Sequence, residues 1–125
     1  MNRTLSAALT TMFLLMTGCP GFGTEELTGE LVENPEWDKD VKPLMATYCD
    51  ECHGPTASNG APPYFRTDTC EDGEVLGAAS TSALSLSRVL NEGFPMPPTY
   101  FAAQMSDEEK QTLKNWVDQG SKCAQ

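Results

Sequence analysis

The chain is short of imidazole, of positive charge and of long apolar runs. His53 is the only histidine in 125 residues. A structural zinc site needs about four Cys or His ligands at paired spacings. Outside one cluster the cysteines are isolated, and no second histidine is left to join them. Basic side chains number 8 against 18 acidic ones, a net charge of −10. That balance argues against nucleic acid and anionic membrane surfaces as partners. The longest apolar stretch, Leu5 to Met16, is too short for the ~20 residues of a membrane-spanning helix. Runs of β-branched residues are missing as well, which counts against a thioredoxin-like alternation of strands and helices. No internal repeat or low-complexity tract is present.

What the chain does have is the pentad Cys49-Asp50-Glu51-Cys52-His53. C-x-x-C-H is the attachment motif of c-type haem. Two thiols three positions apart at the start of a helix reach the two vinyl groups of one porphyrin. The adjoining imidazole then meets the iron as proximal ligand. Because His53 stands alone, a second axial ligand from this chain has to be something other than histidine.

The N-terminus has the form of a leader. Arg3 supplies a positive charge, Leu5 to Met16 an apolar core of signal-peptide length, and Met16-Thr17-Gly18-Cys19 a lipobox-like end. The expectation is a lipoprotein signal over 1–18 and a lipidated Cys19. Its acyl chains meet the two-signal requirement for stable anchoring. Pro20 stands where an inner-membrane retention aspartate would lie, which favours the outer membrane. The alternative is an ordinary secretory signal with Cys19 incidental. Removing the leader leaves Met45, Met96 and Met105 as the only methionines, and 7 basic against 18 acidic side chains.

Cys19 goes to lipid, and Cys49 and Cys52 go to haem. Cys70 and Cys123 remain, an even pair for an oxidising compartment, and a disulfide between them is expected. Closing so long a loop would contribute roughly 4 kcal/mol in the chain-entropy account.

Residues 19–36 read as an acidic tether. Its Gly-containing stretch from Pro20 to Asn34 has no helical period, and as flexible coil it spans about 20 Å. A single small domain over 37–125 follows. A first helix starts near Asp38 or Asp40 and runs through Val41, Leu44, Met45 and Tyr48 into Cys49, with Pro43 tolerated in its first turn. Residues 54–73 are rich in turn formers. A second helix is predicted over Ala78 to Asn91, with Ala83, Leu86, Val89 and Leu90 as its apolar face. Ser106-Asp107-Glu108-Glu109 is a capping box opening a last helix. There Leu113, Trp116 and Val117 form the buried stripe and Gly120 the stop.

Between those helices lies Gly93-Phe94-Pro95-Met96-Pro97-Pro98. A thioether is a soft neutral ligand that favours ferrous iron. The three prolines stiffen the loop and limit the entropy lost on ligation. Met96 is the expected sixth ligand. Met45 lies one turn before Cys49 and cannot reach the opposite face; Met105, just before the last helix, is a core residue or a competing ligand.

In this order the elements resemble the small monohaem class I cytochrome c family, over about residues 37 to 120. The motifs that carry the likeness are Asp40-Val41-Lys42-Pro43-Leu44-Met45, the pentad, Met96-Pro97-Pro98 and Ser106-Asp107-Glu108-Glu109 with Trp116. The resemblance implies an all-α cytochrome c fold whose first and last helices cross near a right angle, with haem c wedged between them. It also implies a loop carbonyl orienting the proximal imidazole, for which Pro55, Pro62 and Pro63 are candidates. Two departures stand out. No Gly-Pro-x-Leu follows His53, and Cys70 and Cys123 are not general family features.

The expected function is one-electron transfer in a periplasmic, lipid-anchored protein, with redox proteins as partners and no catalytic group acting on a substrate. The chain's acidity suits partners with basic docking surfaces, or simply keeps a periplasmic protein soluble. Arg66 and Arg88 are candidate propionate partners or plain solvated charges. The rival readings are a peroxidase-like haem domain, which needs an open distal position, and a haem sensor whose Met96 dissociates.

Overall fold

The computed structural model describes residues 29–124; the leader, Cys19 and the start of the tether lie outside the described residues. Among the described residues the architecture is all-helical. The only strand-like pairing is an isolated parallel bridge between Phe65 and Leu76.

The first helical unit starts as a π-helical turn, Trp37–Val41. Its wide bonds run from Val41 N–H to the Glu36 carbonyl (3.2 Å) and from Lys42 N–H to the Trp37 carbonyl. Asp40 reaches back, and its carboxylate accepts the Glu36 N–H at 2.8 Å. The helical unit therefore begins at its N-cap Glu36, ahead of the Asp38 or Asp40 start expected, and Asp40 secures that start from within the turn. Helix α1 (Lys42–Tyr48) follows without a break. Pro43 is accommodated in its first turn, where a missing N–H costs no bond. Cys49, with φ −124° and ψ −42°, bends the chain slightly before α2 (Asp50–His53).

Helix α3 spans Ala78–Val89 and α4 spans Asp107–Asp118. The capping box is formed at α4: Ser106 Oγ accepts the Glu109 N–H (3.2 Å) and the Glu109 carboxylate accepts the Ser106 N–H (2.7 Å). At the other end Gly120 adopts φ +88°. The Ser121 N–H bonds the Trp116 carbonyl and the Gly120 N–H bonds the Val117 carbonyl, a Schellman stop that asks for glycine.

The core lies between the first helical unit and α4. Trp116 and Val41 are wholly buried, and Met45, Leu113 and Trp37 nearly so. The Trp37 and Trp116 rings are tilted at 36° with centroids 5.5 Å apart. Trp116 keeps its indole N–H satisfied on the Lys122 carbonyl at 3.0 Å. A polar tie runs alongside: the Tyr48 hydroxyl donates to the buried Glu109 carboxylate at 2.9 Å. One carboxylate thus caps α4 and fixes the end of α1.

Helix α3 presents part of the face expected: Val89 is buried and Leu86 packs against the core, whereas Ala83 and Leu90 do not. Ala78, Thr81, Ser82 and Val89 are buried, Ala83 is exposed and Leu90 is 51 % exposed. Ser82 enters the interior because its hydroxyl pairs with Ser121 at 2.6 Å. Cys70 and Cys123 are joined in a disulfide that ties the loop before α3 to the chain beyond α4.

Residues 29–36, within the expected tether, lie along α4. Val32 N–H bonds Thr112 Oγ1 (3.0 Å), Asn115 Nδ2 bonds the Val32 carbonyl (2.9 Å), and Gln119 bonds the Glu33 carbonyl (3.0 Å). Pro35 is fully buried.

Replacing Trp116 by alanine removes the largest buried side chain from the helix contact. The expected loss is about 3–5 kcal/mol of unfolding free energy, read from the denaturant midpoint. Leu31→Ala, at a residue 45 % exposed, should stay within about 0.5 kcal/mol of the parent.

Candidate functional site

The pentad occupies a single helical turn. His53 N–H bonds the Cys49 carbonyl at 2.9 Å and Cys52 N–H bonds the same oxygen at 3.1 Å. A helix this short leaves its carbonyls without internal donors, and the loop that follows supplies them. Ser58 N–H takes the Cys52 carbonyl (3.1 Å), Ser58 Oγ takes that of Glu51 (2.8 Å), and Thr67 N–H takes that of His53 (2.9 Å). Thr67 Oγ1 also donates to Asp50 Oδ1 at 2.7 Å. The chain turns sharply at Gly54, where a Cβ would stand 2.5 Å from the Asp50 carbonyl. Only glycine fits directly after His53.

Cys49 and His53 open into a small cleft of about 150 Å³. Pro62, Tyr64 and Phe65 come from the loop, Leu84 and Arg88 from α3, and Met96 from the loop beyond it. His53 and Met96, predicted as the two axial ligands, are therefore brought to one cleft. Cys52, the other predicted attachment residue, does not line the cleft; its sulfur accepts from Asn59 Nδ2 at 3.4 Å.

The imidazole of His53 stacks on Phe65, centroids 4.6 Å apart and planes at 22°. Burial lowers its pKa, against the opposing pull of Asp50. A neutral ring carries a free nitrogen lone pair at neutral pH, as metal ligation needs. His53 Nδ1 is the one buried side-chain nitrogen or oxygen without a hydrogen-bond partner among the described residues. None of the three candidate prolyl carbonyls bonds it. Pro62 shares the cleft, whereas Pro55 and Pro63 border a neighbouring hollow with Arg66. The specific contact the ring makes is its stack on Phe65. The Cys49 thiol is pushed up to about 12, by burial first and then by Asp50 and Cys52, so it is protonated at neutral pH.

Met96 is anchored through its backbone: its N–H bonds the Arg88 carbonyl at 3.1 Å. The turn before it is held by Asn91, whose side-chain oxygen accepts from Gly93 and Phe94. Met105, at 6 % exposure, and Met45, at 2 %, belong to the core and line no part of the cleft. The two arginines part company. Arg88 borders the cleft, while Arg66 is paired with Asp68 through Nε (2.8 Å) and its terminal nitrogen, away from it. Cys70 and Cys123 take part in the disulfide and not in the cleft.

Sequence reasoning did not find Phe65, Thr67 or Leu84. Leu84 carried a signal, since it sits four residues before Arg88 on one helix face. Phe65 and Thr67 carried none, because their roles depend on a loop returning over twelve or more residues.

Among the described residues no three His, Cys, Asp or Glu side chains gather as they would around a metal ion. No protein-family model, curated protein or solved structure matches the chain. The residues themselves carry the functional reading.

Tyr48, beside the pentad, gives a pH test of this arrangement. Burial, then the Glu109 hydrogen bond and charge, push its phenol up to about 12 from an ordinary 10.0. The folded state holds this proton more tightly, so the contribution is complete below pH 10 and lost as pH rises towards 12. Denaturant midpoints across that range should fall for the parent. In Tyr48→Phe the slope over the same range should be flatter.

Proposed function

We propose that this chain holds one haem c and transfers single electrons within the cytochrome c fold. The observation that carries the proposal is that His53 of the C-x-x-C-H turn and Met96 of the proline-braced loop line the same cleft. No matching relative supports it; the donor set does.

The residues present fit the group. Cys49 and Cys52 would hold it covalently, and His53 and Met96 would ligate its iron. Haem supplies a one-electron ferric/ferrous couple when bound. The rest is done by the protein. Burial keeps His53 neutral and Phe65 keeps its ring in one plane. Met96, a neutral sulfur donor, favours the ferrous state and so a higher potential. Leu84, Phe65 and Val89 present hydrocarbon and limit water, which also favours the less charged state. Arg88 offers a planar guanidinium at the rim for carboxylate groups.

The same proposal includes the setting. Cys19 would carry the lipid anchor of a bacterial envelope protein facing the periplasm, with redox proteins as donor and acceptor. Sensor and peroxidase readings both require that Met96 leave the iron or never reach it.

The ferric absorption spectrum decides between them. A far-red sulfur-to-iron charge-transfer band is expected in the parent, absent in Met96→Ala and retained in Met105→Ala. A high-spin, open ferric haem in the parent would sink the electron-transfer reading. Loss of the band in Met105→Ala alone would move only the ligand.

A further inference from the structure

Two depressions meet at Met96. One is the cleft described above. The other is lined by Phe94, Pro95, Pro98 and Tyr100 and shares only Arg88 and Met96 with the first. Phe94 is 78 % exposed and Tyr100 85 %, the highest among the exposed large hydrophobic side chains. The core does not need them, and neither lines the cleft.

We propose that this second face, centred on Phe94 and Tyr100, is where a basic redox protein docks. The inference rests on the electron-transfer reading and adds the surface and the partner's chemistry. Exposed aromatic side chains are the groups that carry most of the energy at protein interfaces. Apart from Arg88 the face is uncharged. Glu92 stands exposed nearby, beside Met96 and Pro95 in an adjoining hollow. The chain as a whole carries −10. Its field attracts a positively charged partner from a distance, and the apolar face supplies the close contact. The same field repels an anionic bilayer, which sets this face apart from a membrane-binding one. Docking here seats the partner beside Met96, on the ligand side of the cleft. One electron then leaves this protein as the partner gains one, with no bond made or broken and no proton moved.

The test is stopped-flow electron exchange of the reduced holoprotein with two oxidants. One is ferricyanide and the other is basic mitochondrial cytochrome c. The double variant Phe94→Ser, Tyr100→Ser should slow exchange with the basic protein about tenfold at low salt. Its ferricyanide rate and far-red band should be unchanged, as should all three readouts in Leu31→Ser. The parent's rate with the basic protein should also fall as ionic strength rises. A double variant that keeps the parent rate with the basic protein overturns the proposal. So does loss of binding to phosphatidylethanolamine–phosphatidylglycerol vesicles at an unchanged rate, which would make the face a membrane contact. If the parent itself lacks the far-red band and fails to reduce ferricyanide, the electron-transfer reading fails first.

Discussion

Trp116 lies fully buried against Trp37, and the position of the pentad depends on that contact. The π-helical turn that bears Trp37 runs without interruption into α1, and α1 runs through Cys49 into the turn ending at His53. Fixing one end of this unit on α4 therefore fixes the other. Glu109 closes the arrangement by capping α4 while accepting the Tyr48 hydroxyl, one residue before Cys49. Apolar burial supplies most of the free energy. The carboxylate supplies the register.

The same logic sets the chemistry of the cleft. With so short a helix at the pentad, the loop from Gly54 to Thr67 has to satisfy its carbonyls, and in doing so it lays Phe65 over the imidazole. Burial then keeps His53 neutral and the Cys49 thiol protonated. The hydrogen bond from Met96 N–H to the Arg88 carbonyl near the end of α3 holds the backbone of this second lining residue. Structural bonds and candidate ligands are thus made by the same short segments. A small domain with one histidine has little else from which to build a metal centre.

Features with local causes were legible in the sequence. The Ser106–Glu109 box, the stop at Gly120 and the pentad each depend on groups within five residues of one another, so spacing alone reveals them. The face of α3 was legible only in part, at Leu86 and Val89. Periodicity also assigns Ala83 and Leu90 to the interior, yet both are exposed, and Ser82 is buried because Ser121, 39 residues away, pairs with it. The packing of residues 29–36 runs through bonds such as Val32 to Thr112 and Asn115. Contacts of that kind leave no apolar period to read. The stack of Phe65 on His53 arises from loop closure, and its residue types do not announce it.

The central claim is that the pentad of this chain is a covalent haem site, and covalency is what a single measurement tests best. The protein would be matured in a host with haem-attachment machinery, then denatured in acid and its intact mass recorded. The account predicts a mass increased by one haem that survives denaturation and is lost in the Cys49→Ala, Cys52→Ala double variant. A parent chain that runs at its unmodified mass, or sheds all its haem on denaturation, would contradict it.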